Sequence, residues 1–227
     1  MWIKICANTN LEDAQMAVEL GADAVGFVFA PSVRRMTAKE VALITPHLPE
    51  HVERVGVFDS RYAEEIEAAV QEAGLNAVQL HGEWQSTLVC RLNRMFEGRL
   101  KIIQTVHWQV DENGSSAATV QELLREIQKN AVVERILVDS RVGQATGGTG
   151  VSFDWLAARG VVRDGAGSLK MIVAGGLRPD NVVEAIRELD PWGVDVASGV
   201  EKKPGRKDAE KLAEFIRNVR TAKVVSA

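Results

Sequence analysis

The chain has 227 residues, 46% hydrophobic and 26% charged, with a net charge of -4. That length suits one α/β barrel, and the negative balance excludes a global basic field for a nucleic-acid backbone, so any anion site must be local. No signal-peptide layout or membrane-length apolar run is present, and Cys6 and Cys90 show neither a pairing pattern nor zinc spacing. The sequence therefore reads as cytoplasmic, with no nucleic-acid and no membrane partner.

Trp2–Ile5 is an apolar strand that stops at Cys6. Asn10 is a good N-cap for the next helix, with Asp13 three residues on; Leu11, Ala14 and Val18 form its stripe and Gly21 closes it. Residues 24–29 are continuously apolar, as a strand covered on both faces should be. A loop through Pro31 and Arg35 leads to Thr37-Ala38-Lys39-Glu40, a capping box. The alternation continues with strands at Glu53–Phe58, Ala77–Leu80, 101–106, 135–139, 170–173 and Gly193–Val196. Helices are expected at Ala63–Ala73, 85–96, 117–129, 153–159 and from about Pro179. A closing helix carries Leu212, Phe215, Ile216 and Val219 on one face. Asp23, Asn76 and Asp195 read as one helix-to-strand joint used three times.

About eight strand–helix pairs predict a single (β/α)8 TIM-barrel domain over 1–227, with 221–227 a fraying tail; an open doubly wound sheet is the runner-up. A barrel demands functional residues just after its strands. Those positions hold Cys6, the 31–35 loop, His81, Asp139, Gly175-Gly176 and Ser198-Gly199.

Each has two readings. The glycines after the seventh and eighth strands let backbone N–H groups approach a phosphate, or simply make tight turns at positive φ. Asp139, ending an apolar run, is a general acid with a raised pKa or the cap of a backbone turn. Its rival Asp154 reads as a helix start, and 143–150 as a mobile lid or a solvated connector. Arg34 and Arg35 offer a bidentate carboxylate clamp or a solvated pair. His81 is a pocket hydrogen-bond donor or a structural histidine. His47, His51 and His107 give no metal-ligand spacing, so no metal site is expected. Cys90 reads as helix core, and Cys6 as a nucleophile-grade group or a merely buried thiol.

In ordered succession these segments resemble the phosphoribosylanthranilate isomerase family over nearly the whole chain. The matching stretches are Lys4-Ile5-Cys6, Thr9 to Ala14, Gly21 to Phe29, Pro31 to Arg35, Val55 to Phe58 and Val78 to Gly82. They continue with Leu137 to Asp139, Gly147 to Gly150 before Phe153-Asp154-Trp155, Gly175-Gly176-Leu177, and Ser198 to Glu201 with Gly205.

The resemblance implies a cofactor-free isomerase of tryptophan biosynthesis, acting on a small phosphorylated substrate as a monomer or homodimer. Its reaction is the Amadori rearrangement of N-(5-phosphoribosyl)anthranilate. By position, Cys6 would be the general base and Asp139 the general acid. Arg35 would meet the anthranilate carboxylate, with His81 among the substrate contacts. Gly175, Gly176, Ser198 and Gly199 would hold the phosphate. Two alternatives stay open: another phosphate-binding barrel enzyme acting on a sugar phosphate, or a non-catalytic metabolite-binding barrel. One position departs from the pattern: Ala7 stands where the family has glycine. At positive φ its Cβ would cost stability or shift the thiol; at negative φ it is harmless. The expectation is that Ala7 is tolerated.

Overall fold

The computed structural model describes residues 1–109, 115–141, 159–161 and 165–222. The expected helix at 153–158, the 143–150 loop and the tail beyond 222 lie outside the described residues. Eight parallel strands close into a barrel in sequence order: β1 Trp2–Ile5, β2 Ala24–Val28, β3 Glu53–Phe58, β4 Ala77–Leu80, β5 Lys101–Gln109, β6 Arg135–Arg141, β7 Lys170–Ala174 and β8 Gly193–Val196. β8 pairs with β1 to close the ring, Lys4 opposite Asp195 and Ile5 opposite Val196. The described helices are α1 Leu11–Glu19, α2 Ala38–Ala42, α3 Ala63–Ala73, α4 Ser86–Met95, α5 Ser115–Gln128, α6 Val182–Leu189 and α7 Ala209–Ala222.

The capping residues act as expected. Asn10 accepts from the Asp13 backbone N–H, and Thr37 and Glu40 complete a reciprocal capping box. Alternation along each strand splits the apolar residues into two cores. Ile3, Ile5, Val25 and Phe27 face the helices, whose stripes include Leu212, Phe215, Ile216 and Val219. Trp2, Ala24, Val55, Ala77, Ile103, Leu137 and Ile172 fill the barrel interior. On the same inward register, one or two steps further along, stand Lys4, Gln79, Thr105 and Asp139. The interior thus turns from apolar to polar toward the carboxyl ends of the strands, which sets where chemistry can occur.

Three local expectations need correction. Asp23 and Asn76 do form one joint, accepting from the backbone N–H groups of Ile3 and Arg54 at 2.8 Å each. Asp195 does not belong with them: β8 already starts at Gly193, so Asp195 lies inside the strand and points into the barrel toward Lys4. Cys90 is exposed. The buried face of α4 is Leu88, Val89 and Leu92, and position 90 is turned about 100° from position 89. Finally, β5 runs three residues past 106, carrying His107 into the sheet.

Candidate active site

Cys6 is the first residue beyond β1 and is buried; its backbone N–H donates to Val196 O at 2.8 Å. Gly26 makes room for the thiol. A Cβ there would lie 2.8 Å from Cys6 Sγ and 2.9 Å from Lys4 Cε. The turn that follows is held by Asn8, whose Nδ2 donates to Ile5 O at 2.8 Å and whose backbone N–H donates to Gly26 O at 2.9 Å. Between them Ala7 takes φ +60°. The left-handed conformation that favours glycine is therefore present with an alanine in it.

Lys4 lies below the thiol on the same face and is completely buried. Its Nζ donates to Gln79 Oε1 at 2.7 Å and to Asp195 Oδ2 at 3.0 Å, and its charge also acts on Cys6. Burial would depress this lysine, but Asp195 and Cys6 raise it overall, so it stays an ammonium. A second cation approaches from β9 (Glu201–Lys203) and β10 (Arg206–Lys207), a small hairpin after β8. Lys207 Nζ donates to Cys6 O at 2.6 Å and Ala197 O at 3.2 Å, with Glu201 Oε1 at 3.5 Å. Burial lowers Lys207 and Glu201 opposes that. For Cys6 itself, burial pushes the thiol up, Asp195 adds to the rise, and Lys4 and Lys207 pull against it.

The two arginines separate. Arg34 forms a two-pronged ion pair with Glu201, Nε at 2.9 Å and Nη2 at 2.6 Å, with the carboxylate only 4% exposed. Arg35 is exposed and lines a groove with Phe29, Phe58 and Asp59, where the two phenyl rings stack 4.7 Å apart. Arg34 is thus spent on the scaffold, and Arg35 is placed to reach a ligand.

Gly175 and Gly176, after β7, both have positive φ, at 86° and 64°. Asn181 ties this turn, donating from Nδ2 to Gly176 O at 3.0 Å. The turn meets the loop after β8 directly: a Cβ on Gly199 would collide with Leu177 O. Ser198, exposed beside it, begins a single turn of 3-10 helix. Close backbone approach, as well as turn conformation, accounts for the glycines in these two loops.

Asp139 is in β6, in register with His107 of β5. His81 follows β4, and its ring meets that of His107 edge to face, with centroids 4.8 Å apart. One ring nitrogen from each histidine and one Asp139 oxygen lie within 4.8 Å of each other. Of the described residues, these three are the ones that could hold a metal. The sequence conceals this, because the donors come from three successive β/α units with no local spacing. Lys4, Lys207 and His107 are the neighbours of Cys6 and Asp139 that the sequence does not single out. For Lys4 a signal existed: a lysine at an inward position of a buried strand must have a partner.

Fold and site together define an enzyme of the (β/α)8-barrel class with titratable side chains gathered at the carboxyl mouth of its barrel. Residues 3–218 match the family model for N-(5'phosphoribosyl)anthranilate (PRA) isomerase. The N-(5'-phosphoribosyl)anthranilate isomerase of Trichlorobacter lovleyi is 39% identical over 222 residues, covering 97% of this chain and 98% of the relative. The crystal structure of phosphoribosyl anthranilate isomerase from Thermotoga maritima superposes with a TM-score of 0.80 at 36% identity, covering 97% and 99% of the two chains. A crystal structure of a phosphoribosyl anthranilate isomerase in complex with reduced 1-(o-carboxyphenylamino)-1-deoxyribulose 5-phosphate matches with a TM-score of 0.78 at 34% identity over the same shares. The chain belongs to the PRA isomerase family, the isomerases of tryptophan biosynthesis.

Proposed function

We propose that this chain isomerises N-(5'-phosphoribosyl)anthranilate to 1-(o-carboxyphenylamino)-1-deoxyribulose 5-phosphate with Cys6 as general base and Asp139 as general acid. The observation that carries the assignment is the buried thiol at the end of β1 with the buried Lys4 side chain beside it, both closing on Gly26, and a lysine charge that favours the thiolate. A merely structural cysteine needs no cation beneath it.

Asp139 delivers a proton to the ribose ring oxygen as the C1–O bond breaks and the anthranilate nitrogen supplies the electrons for an iminium. Cys6 thiolate then takes the proton from C2, acidified by the adjacent iminium, and that electron pair neutralises the nitrogen. The enolamine becomes the ketone as the C2 hydroxyl gives up its proton and C1 takes one up. In the free enzyme burial holds the thiol up. The iminium cation offsets this when the base is needed, and Lys4 and Lys207 stabilise the thiolate from below. Arg35 beside stacked Phe29 and Phe58 supports a contact to the aromatic carboxylate. The paired glycine loops at 175–176 and 198–199 support phosphate binding. Membership of a biosynthetic family supports a cytoplasmic location. The test is incubation of the purified protein with freshly made phosphoribosylanthranilate, separating substrate from isomer by chromatography. Catalytic conversion is expected; recovery of unchanged substrate would overturn the reading.

A further inference from the structure

His81, just beyond β4, meets His107 of β5 and Asp139 of β6 on one side of the barrel mouth, their donor atoms within 4.8 Å of one another. His107 Nε2 lies 2.7 Å from the His81 carbonyl oxygen. A carbonyl oxygen only accepts, so Nε2 carries the hydrogen, and in the neutral ring Nδ1 keeps its lone pair. That Nδ1 is shielded from solvent. Metal-ligating histidines are commonly oriented in this way, their far nitrogen donating to a backbone carbonyl. Two imidazoles and one carboxylate suit a borderline transition-metal ion and not Mg2+ or Ca2+, which prefer oxygen ligands alone.

We propose that His81, His107 and Asp139 bind a divalent transition-metal ion of the Zn2+, Co2+ or Ni2+ type, and that its occupancy switches the isomerase off. Metal–ligand bonds of about 2.0–2.2 Å require the donors to draw together to about 3–3.5 Å, a movement of side-chain torsions on rigid strands. The bound ion takes the Asp139 carboxylate, so it can no longer carry the proton for ring opening. This second half rests on the general-acid role given above; the binding site itself does not.

Co2+ makes the two separable. Titrating a Cys90→Ser protein with Co2+, the visible d–d absorption should saturate at one equivalent and survive excess Mg2+. His107→Gln keeps a donor for the His81 carbonyl but loses the ligand. Loss of an outer-sphere partner alone weakens metal sites about 10- to 100-fold, so at least that loss is expected. Asp139→Asn should weaken binding similarly and guards against a folding defect in the first variant. No d–d absorption, unchanged affinity in both variants, or a thiolate charge-transfer band from Cys6 would overturn the site. Turnover should fall in proportion to bound Co2+. Full turnover with the ion bound would leave the site standing and overturn the switch, along with the role of Asp139.

Discussion

Lys4 and Asp195 are register partners across the seam that closes the barrel, and their charges meet 3.0 Å apart, beneath the Cys6 thiol on the same inward face. The pair acts on the thiol with opposite signs: Lys4 favours the thiolate and Asp195 disfavours it. Lys4→Met should therefore raise the ionisation midpoint of Cys6, and Asp195→Asn should lower it. The pH dependence of Cys6 alkylation reads this directly. It needs a Cys90→Ser background, because Cys90 is exposed and would react as well. Shifts in the same direction would contradict the arrangement. Lys4→Met also strands a buried carboxylate, at a cost to stability of about 3–5 kcal/mol.

Ala7 at φ +60° carries backbone strain of about 1–2 kcal/mol, part of which glycine would give back through its looser unfolded chain. Ala7→Gly should stabilise the fold by roughly 0.5–1 kcal/mol in a urea titration. Turnover should change less than about tenfold, a barrier difference under about 1.4 kcal/mol. Cys6 N–H and Asn8 fix the thiol's position from both sides of Ala7. A rise of orders of magnitude would show that the alanine displaces the base.

Arg34 and Arg35 should fail differently. Arg35→Ala should raise KM about 10- to 100-fold, the worth of a charged hydrogen bond of about 1.5–3 kcal/mol, and leave the fold intact. Arg34→Ala removes the partner of a nearly buried Glu201, so its main effect should be a lower unfolding midpoint. Thermal unfolding and steady-state kinetics on both variants distinguish them.

The thiol also affects stability. Burial raises Cys6 in the folded protein above its ordinary value of 9.0. Below that pH both states hold the proton and the contribution is complete. Above it the unfolded chain ionises first, so stability falls as pH rises, by up to about 1.4 kcal/mol per pH unit. Between pH 9.0 and the ordinary lysine value of 10.5, Cys6→Ser should flatten this slope in denaturant titrations.

The barrel was legible because each outward strand face and helix stripe must be apolar in its own period, and because Asn10 and Thr37 announce helix starts. The site was legible only in part. Cys6, Asp139 and the glycine loops stand out, since a strand end has to explain its polar residues. His107 was lost because the mouth of the barrel is polar: β5 continues through it without the apolar run that marks a strand. Asp195 looks like a joint in the sequence because only the register with Lys4 tells that it faces inward. Lys207 reaches Cys6 from a polar hairpin that sequence alone does not bring near β1.

In the proposed mechanism Cys6 and Asp139 divide one proton-transfer task. That division is tested most directly by measuring turnover of phosphoribosylanthranilate in Cys6→Ser and Asp139→Asn, beside binding of the reduced product analogue. Each variant should lose about 10²- to 10⁴-fold in kcat while still binding the analogue. Full turnover in Cys6→Ser would contradict the claim.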